Sequence, residues 1–207
     1  MEFLNRTQLL VLIMLFISSS GYTQKNNPIQ AAFQDSYSFE ISGKYVQAIQ
    51  EIKSVYDDSS YPMNLRLGWL NYKANQYTES VRYYQAACKL MPLSVEARLG
   101  LVNSAALLGN WEQVKTAYQE ILKADPGNYT ANFRMGQIWY NRQDYKKALE
   151  YFSKVANLYP FDYDGTVMYG WACLKSGKLR EAKILFSNAL LIKPGDPSAL
   201  EGLSFIK

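Results

Sequence analysis

Residues 129–162 read YTANFRMGQIWYNRQDYKKALEYFSKVANLYPFD, and two apolar stripes run through them at helical spacing. Phe133, Met135, Gly136, Trp139 and Tyr140 make the first stripe; Tyr145, Ala148, Leu149, Phe152 and Val155 make the second. Arg142-Gln143-Asp144 falls between them and reads as a tight turn. Pro160 ends the second stripe, because it has no N–H to donate and biases Tyr159 out of the helical region. The stretch therefore predicts a helix–turn–helix pair of 34 residues, and the chain repeats it. Pro92, Pro126, Pro160 and Pro194 fall 34 residues apart, as do Tyr84, Tyr118, Phe152 and Phe186, and Leu67, Leu101, Met135 and Tyr169. A fixed period of this size marks stacked repeats. One pair cannot bury its apolar faces alone, whereas neighbouring pairs bury them for one another.

These residues resemble the tetratricopeptide repeat, whose pattern runs W-x2-L-G-x2-Y, then A-x3-F, then P. Here the matching residues are Met135-Gly136 with Trp139, then Ala148 with Phe152, then Pro160. The next copy has Tyr169-Gly170 with Cys173, Ala182 with Phe186, and Pro194; an earlier one has Leu67-Gly68, Ser80 with Tyr84, and Pro92. The copy between them has Leu101-Val102, Val114 with Tyr118, and Pro126. The resemblance implies an all-α fold, a right-handed α-solenoid of stacked pairs. Small residues such as Gly136 and Ala148 belong where two helices approach most closely. Val102, Val114 and Ile121 replace smaller residues in the 95–128 copy, so that pair is expected to splay wider.

The repeats are expected at about 29–60, 61–94, 95–128, 129–162 and 163–196, with a closing helix at 198–207. The first copy is degenerate: Gly43-Lys44-Tyr45, Ala48 and Ile52 match the pattern, but Asp35-Ser36 stands where Leu-Gly is expected. Residues 1–21 form a separate segment. Arg6 precedes an apolar run from Leu9 to Ile17, followed by Ser18-Ser19-Ser20-Gly21, the layout of a secretory signal peptide. Nine apolar residues are too few for a bilayer core, which needs about 20. The expectation is a periplasmic or secreted protein with no stable membrane span after cleavage. Residues 22–28 read as a polar, disordered linker.

At 207 residues, with about half of them apolar, the chain can bury a sizeable core. A net charge of +4 with scattered lysines and arginines gives no nucleic-acid patch. The chain has no histidine, which removes the commonest general base and metal ligand. No phosphate loop, nucleophile elbow or paired-cysteine metal motif occurs, so no catalytic residue, metal or cofactor is assigned. Cys88 and Cys173 lie several helix layers apart, too far for a disulfide.

The tetratricopeptide resemblance implies that the first helices of successive pairs line a groove for an extended peptide. Its slots are filled here by Phe33 and Tyr37, by Leu65, Trp69, Tyr72 and Lys73, and by Leu99 and Asn103. Phe133, Gln137, Tyr140 and Asn141 follow, and finally Val167, Trp171 and Lys175. Aromatics anchor interfaces because they bury much area with few rotors, and amides supply adaptable hydrogen bonds. Trp69 and Trp171 each follow a glycine that already supplies the close helix contact, so both are expected to face the groove. None of the slots Phe33, Leu65, Leu99, Phe133 and Val167 is lysine, so the carboxylate clamp of some family members is not implied. The expected function is a scaffold for another protein, a peptide segment or an envelope-complex subunit. The alternative is an envelope glycan-binding module built on stacked aromatics.

Overall fold

The computed structural model describes residues 27–206, which form eleven helices and no strand. The expected signal segment 1–21 and residues 22–26 of the expected linker lie outside the described residues. The chain divides into two compact units, residues up to Val55 and residues from Tyr56 onward.

In the first unit, α1 (Pro28–Ile41) and α2 (Tyr45–Ser54) form one pair. The linker ends earlier than expected, because Asn27 accepts a 3.0 Å bond from the Ile29 N–H and Pro28 opens the helix. Proline suits this position, where its missing donor would have had no partner. Ser36 takes the slot that glycine fills elsewhere and is fully buried, and Ala48, Ile49 and Ile52 pack from α2.

The second unit contains α3 (Tyr61–Lys73), α4 (Tyr77–Leu90), α5 (Val95–Leu107), α6 (Trp111–Ala124), α7 (Tyr129–Asn141), α8 (Tyr145–Leu158), α9 (Tyr163–Lys175), α10 (Leu179–Ile192) and α11 (Pro197–Ser204). The first helices of its four pairs begin at residues 61, 95, 129 and 163, as the 34-residue period predicts. Consecutive helices pack as antiparallel pairs, and each second helix packs against the next first helix. The closing helix is shorter than the expected 198–207, since Phe205 already caps its C-terminus.

Each turn within a pair uses one left-handed residue. Gly43 (φ 71°), Gly109 (φ 73°) and Gly177 (φ 77°) hold three of these turns, while Asn75 (φ 59°) and Gln143 (φ 61°) hold the other two. The backbone reverses there through a six-residue bond, such as Asp144 N–H to Trp139 O at 3.0 Å. Glutamine has no local reason to prefer this conformation, which strains any residue with a Cβ.

Two devices join successive pairs. The first is an aromatic ring seated between first helices. A Cβ at Gly68 would come within 2.9 Å of the Tyr84 ring, and one at Gly100 would overlap the same ring. Tyr84 thus lies between α3 and α5. Phe186 is seated in the same way between Gly170 of α9 and Gly202 of α11, and Phe152 rests against Gly136. The second device is a tyrosine at the start of a first helix, bonded to the N-cap residue of the next. Tyr61 Oη meets Ser94 Oγ at 2.8 Å, Tyr129 Oη donates to Asp162 at 3.0 Å, and Tyr163 Oη donates to Asp196. Ser94, Asp162 and Asp196 also accept N–H bonds from their own helices.

The 95–128 pair departs from this scheme. Its helices α5 and α6 pack less closely than those of the other pairs in the unit, in line with the valines in the small-residue slots. Cys88 is half-buried, Cys173 is buried, and both are free.

Gly100→Ala is expected to destabilise the fold by about 1–3 kcal/mol, because the Tyr84 ring must be displaced. Gln143→Gly is expected to stabilise it by about 0.5 kcal/mol, after the entropy that glycine adds to the unfolded chain. Urea unfolding of the two variants measures both signs. Asp196 supplies a pH test. A hydrogen bond from Lys193 and one from the Tyr163 hydroxyl hold its carboxyl down at about 2. The resulting stability is present above the ordinary carboxylate range and is lost as pH falls through it towards about 2. Asp196→Asn should weaken the fold at neutral pH and reduce the further loss between about pH 5 and pH 2; an acid loss as large as that of the parent contradicts this role.

Candidate partner-binding face

The predicted residues recur at matching positions of the first helices, and their surroundings differ from repeat to repeat. The fullest array is on α3. Trp69 is 39% exposed, and its ring stacks on Tyr72 with centroids 5.9 Å apart and planes 25° from parallel. Tyr72 in turn lies 6.0 Å from Tyr77, at the start of α4. The Lys73 ammonium sits 5.5 Å from the centre of the Trp69 ring, within cation–π range. The three rings form a continuous apolar strip that ends at the turn.

Two repeats on, Tyr140 and Tyr145 form the corresponding pair, 5.3 Å apart and edge to face. Burial raises the Tyr140 hydroxyl above its ordinary range, and Tyr145 adds to this. Between the two arrays, α5 has Ala106 in the slot that Tyr72 and Tyr140 fill. The end of α5, the turn after it and the start of α6 instead expose Leu107, Leu108 and Trp111, the last 56% exposed. Asn103 and Asn141 are exposed on α5 and α7. Gln137 is half-buried and accepts a 2.9 Å bond from Arg134.

Two predicted anchors are committed elsewhere. Phe133 is half-buried, stacked on Tyr129 at 5.8 Å and set edge-on to Phe152 at 6.0 Å, so it braces the core. Trp171 was expected as an open groove anchor. Its ring instead packs 5.3 Å from Phe186 and 6.2 Å from Phe205, and its Nε1–H donates to Ser198 Oγ at 2.9 Å. The closing helix uses this tryptophan as its dock. Lys175 remains exposed at the end of α9. In the first unit Tyr37 is 51% exposed, 6.5 Å from Phe33 on the same helix.

The sequence reading missed Tyr77, Trp111 and Tyr145. They recur every 34 residues at the first position of the second helix, so the period itself carried the signal. They were passed over because only first helices were assigned to the groove. A separate hollow lies among α4, α5 and α6, lined by Cys88, Arg98, Glu112 and Glu120. Burial raises the Cys88 thiol, which makes it a poor nucleophile. Among the described residues, no group of three or more metal-ligating side chains occurs, and no helix is long and apolar enough to cross a membrane.

The family model of the tetratricopeptide repeat matches residues 65–113 and 108–163. The chain belongs to the tetratricopeptide-repeat family. Among solved structures it is similar to a tetratricopeptide repeat protein from Parabacteroides merdae, with a TM-score of 0.72 and 18% identity over 86% of this chain and 71% of that one. It is also similar to the MamA protein, with a TM-score of 0.70 and 18% identity over 80% of this chain and 92% of that one. At such identities the likeness shows the fold. Among curated proteins, a stretch of 119 residues is 28% identical to the human protein O-mannosyl-transferase TMTC1. That stretch is 58% of this chain, and the match spans 13% of the length of TMTC1.

Because Trp171 is a dock and Trp111 is open, their substitutions should separate. Trp171→Ala is expected to cost about 2–4 kcal/mol. Trp111→Ala should stay within about 0.5 kcal/mol. Thermal melts of the two variants measure the difference.

Proposed function

We propose that this tetratricopeptide-repeat chain is a non-enzymatic scaffold that binds an extended segment of another protein along the exposed aromatic face of its second unit. One observation carries the reading: the stacked strip Trp69–Tyr72–Tyr77, with a lysine over one ring and a related pair, Tyr140–Tyr145, on α7. Three exposed or half-exposed rings in contact leave apolar area open to water, and such area favours a partner. Rings of this kind accept apolar side chains of a peptide, while Asn103 and Asn141 meet its backbone groups and Lys73 meets an acid. Trp111, Leu107 and Leu108 extend the apolar strip across the repeat that lacks a ring on its first helix. Trp171 supports the closing helix and is not one of the anchors.

Export belongs to the same reading and rests on the sequence from Arg6 to Gly21. A periplasmic or secreted location makes an envelope protein the natural partner. The N-terminus of the protein recovered from cells tests it: a start near Tyr22 agrees, and a retained Met1 overturns it.

The binding reading is tested with peptides selected from a random displayed library on the intact protein. Trp69→Ala and Trp111→Ala are each expected to weaken a selected peptide by about 1–2 kcal/mol, as for interface aromatics. Arg180→Ala and Lys183→Ala, exposed on α10, should leave it unchanged. Unaltered affinity in both tryptophan variants sinks the proposal, as does binding of glycan fragments in place of peptides.

A further inference from the structure

We infer that the junction between α6 and α7 is a hinge about which the last two repeats move relative to the two before them. Each device that joins repeats elsewhere in the second unit is missing at this place. Tyr118 is the seated ring of the 95–128 repeat, and Val102 and Arg134 stand in the flanking slots where Tyr84 has Gly68 and Gly100. Without glycine on either side, the first helices cannot close on the ring as they do around Tyr84. The tyrosine-to-cap bond is missing too. Val95 occupies the position of Tyr61, Tyr129 and Tyr163, so the cap residue Asn128 bonds only within its own loop and helix, through Asp125 and the Ala131 N–H. In consequence α6 and α7 pack much more sparsely than the equivalent helices α4 with α5 and α8 with α9.

Polar accounting points the same way. Asn64 and Asn132 are equivalent buried residues, each donating to the loop before its helix. Asn64 Oδ1 also accepts the Tyr56 hydroxyl at 2.9 Å, but Ala124 stands where that tyrosine would be, and Asn132 Oδ1 has no partner. On the same helix the Trp139 Nε1–H is buried without an acceptor. The orphaned Asn132 oxygen lies at the start of α7, where an opening of the junction lets water reach it. The Arg142–Glu112 pair, at 3.3 Å and largely exposed, is a polar link across the junction and a weak one. The remaining joint is apolar: Val114, Ala117, Tyr118 and Ile121 packed with Ala131 and Met135. Such a contact is non-directional and tolerates sliding.

The test measures distances between equivalent exposed positions in successive repeats, using the full chain with Cys88→Ala and Cys173→Ala. Spin labels are placed in pairs at 73 and 107, 107 and 141, and 141 and 175. The 107–141 pair should give a broader distance distribution than the other two. Val95→Tyr with Arg134→Gly restores the cap bond and one glycine, and should narrow it to the width of the control pairs. Both sets must keep the parent's helical circular dichroism. Equal widths for the three pairs in the parent overturn the hinge. A 107–141 width that the double substitution leaves unchanged overturns its assigned cause.

Discussion

The stack depends on aromatic rings that occupy space a side chain would need. A first helix can approach a ring on the second helix of its pair only where it offers no Cβ, and the next first helix faces the same limit from the other side. Tyr84 and Phe186 meet this limit on both faces, with glycine on each. Where the limit is met, the helices close, small residues such as Ala87 and Ala189 are sealed in, and the core continues from one pair to the next. The hydrogen-bonded caps follow from that spacing, because a tyrosine hydroxyl reaches the next cap residue only when the two first helices stand at a fixed separation. Packing and polar bonding thus support one another around Tyr84 and Phe186, the α8–α9 joint keeps the Tyr129–Asp162 bond with glycine on one side of Phe152 only, and both devices are missing between α6 and α7.

That coupling explains how much of the fold could be read from the chain alone. The 34-residue period fixes the pairs, and the helix starts at residues 61, 95, 129 and 163 follow it without slippage. Ends were harder to read. Asn27-Pro28 looks like linker by composition, yet an asparagine cap followed by proline is also the chemistry of a helix start. The closing helix stops at Ser204 although no proline or glycine follows. Turn residues mixed legible and illegible cases: Gly109 and Gly177 announce a left-handed position, and Gln143 does not.

The candidate face was partly legible for a related reason. Periodicity tells which side of a helix an aromatic lies on: Trp69 is exposed, and Tyr72 and Tyr140 are half-buried. It cannot tell whether a later element covers that side. Trp171 has the same register as Trp69, but α11 follows it and takes its ring and its N–H. The aromatics at the start of the second helices escaped notice because a groove was ascribed to first helices alone, although Tyr77 and Tyr145 touch Tyr72 and Tyr140. The resulting face is a strip of rings interrupted at the repeat whose joint to the next is loosest. Repeats that touch only their neighbours make this possible, since a local change of spacing need not disturb distant layers.

Native-state hydrogen exchange along the second unit tests most directly the claim that seated rings and bonded caps hold the stack together. Amides in the second half of α6 and the first turns of α7 should open with a smaller free energy than their equivalents at α4–α5 and α8–α9. Equal protection at the three joints would contradict the account, because the α6–α7 joint alone lacks both the tyrosine-to-cap bond and any glycine beside its ring.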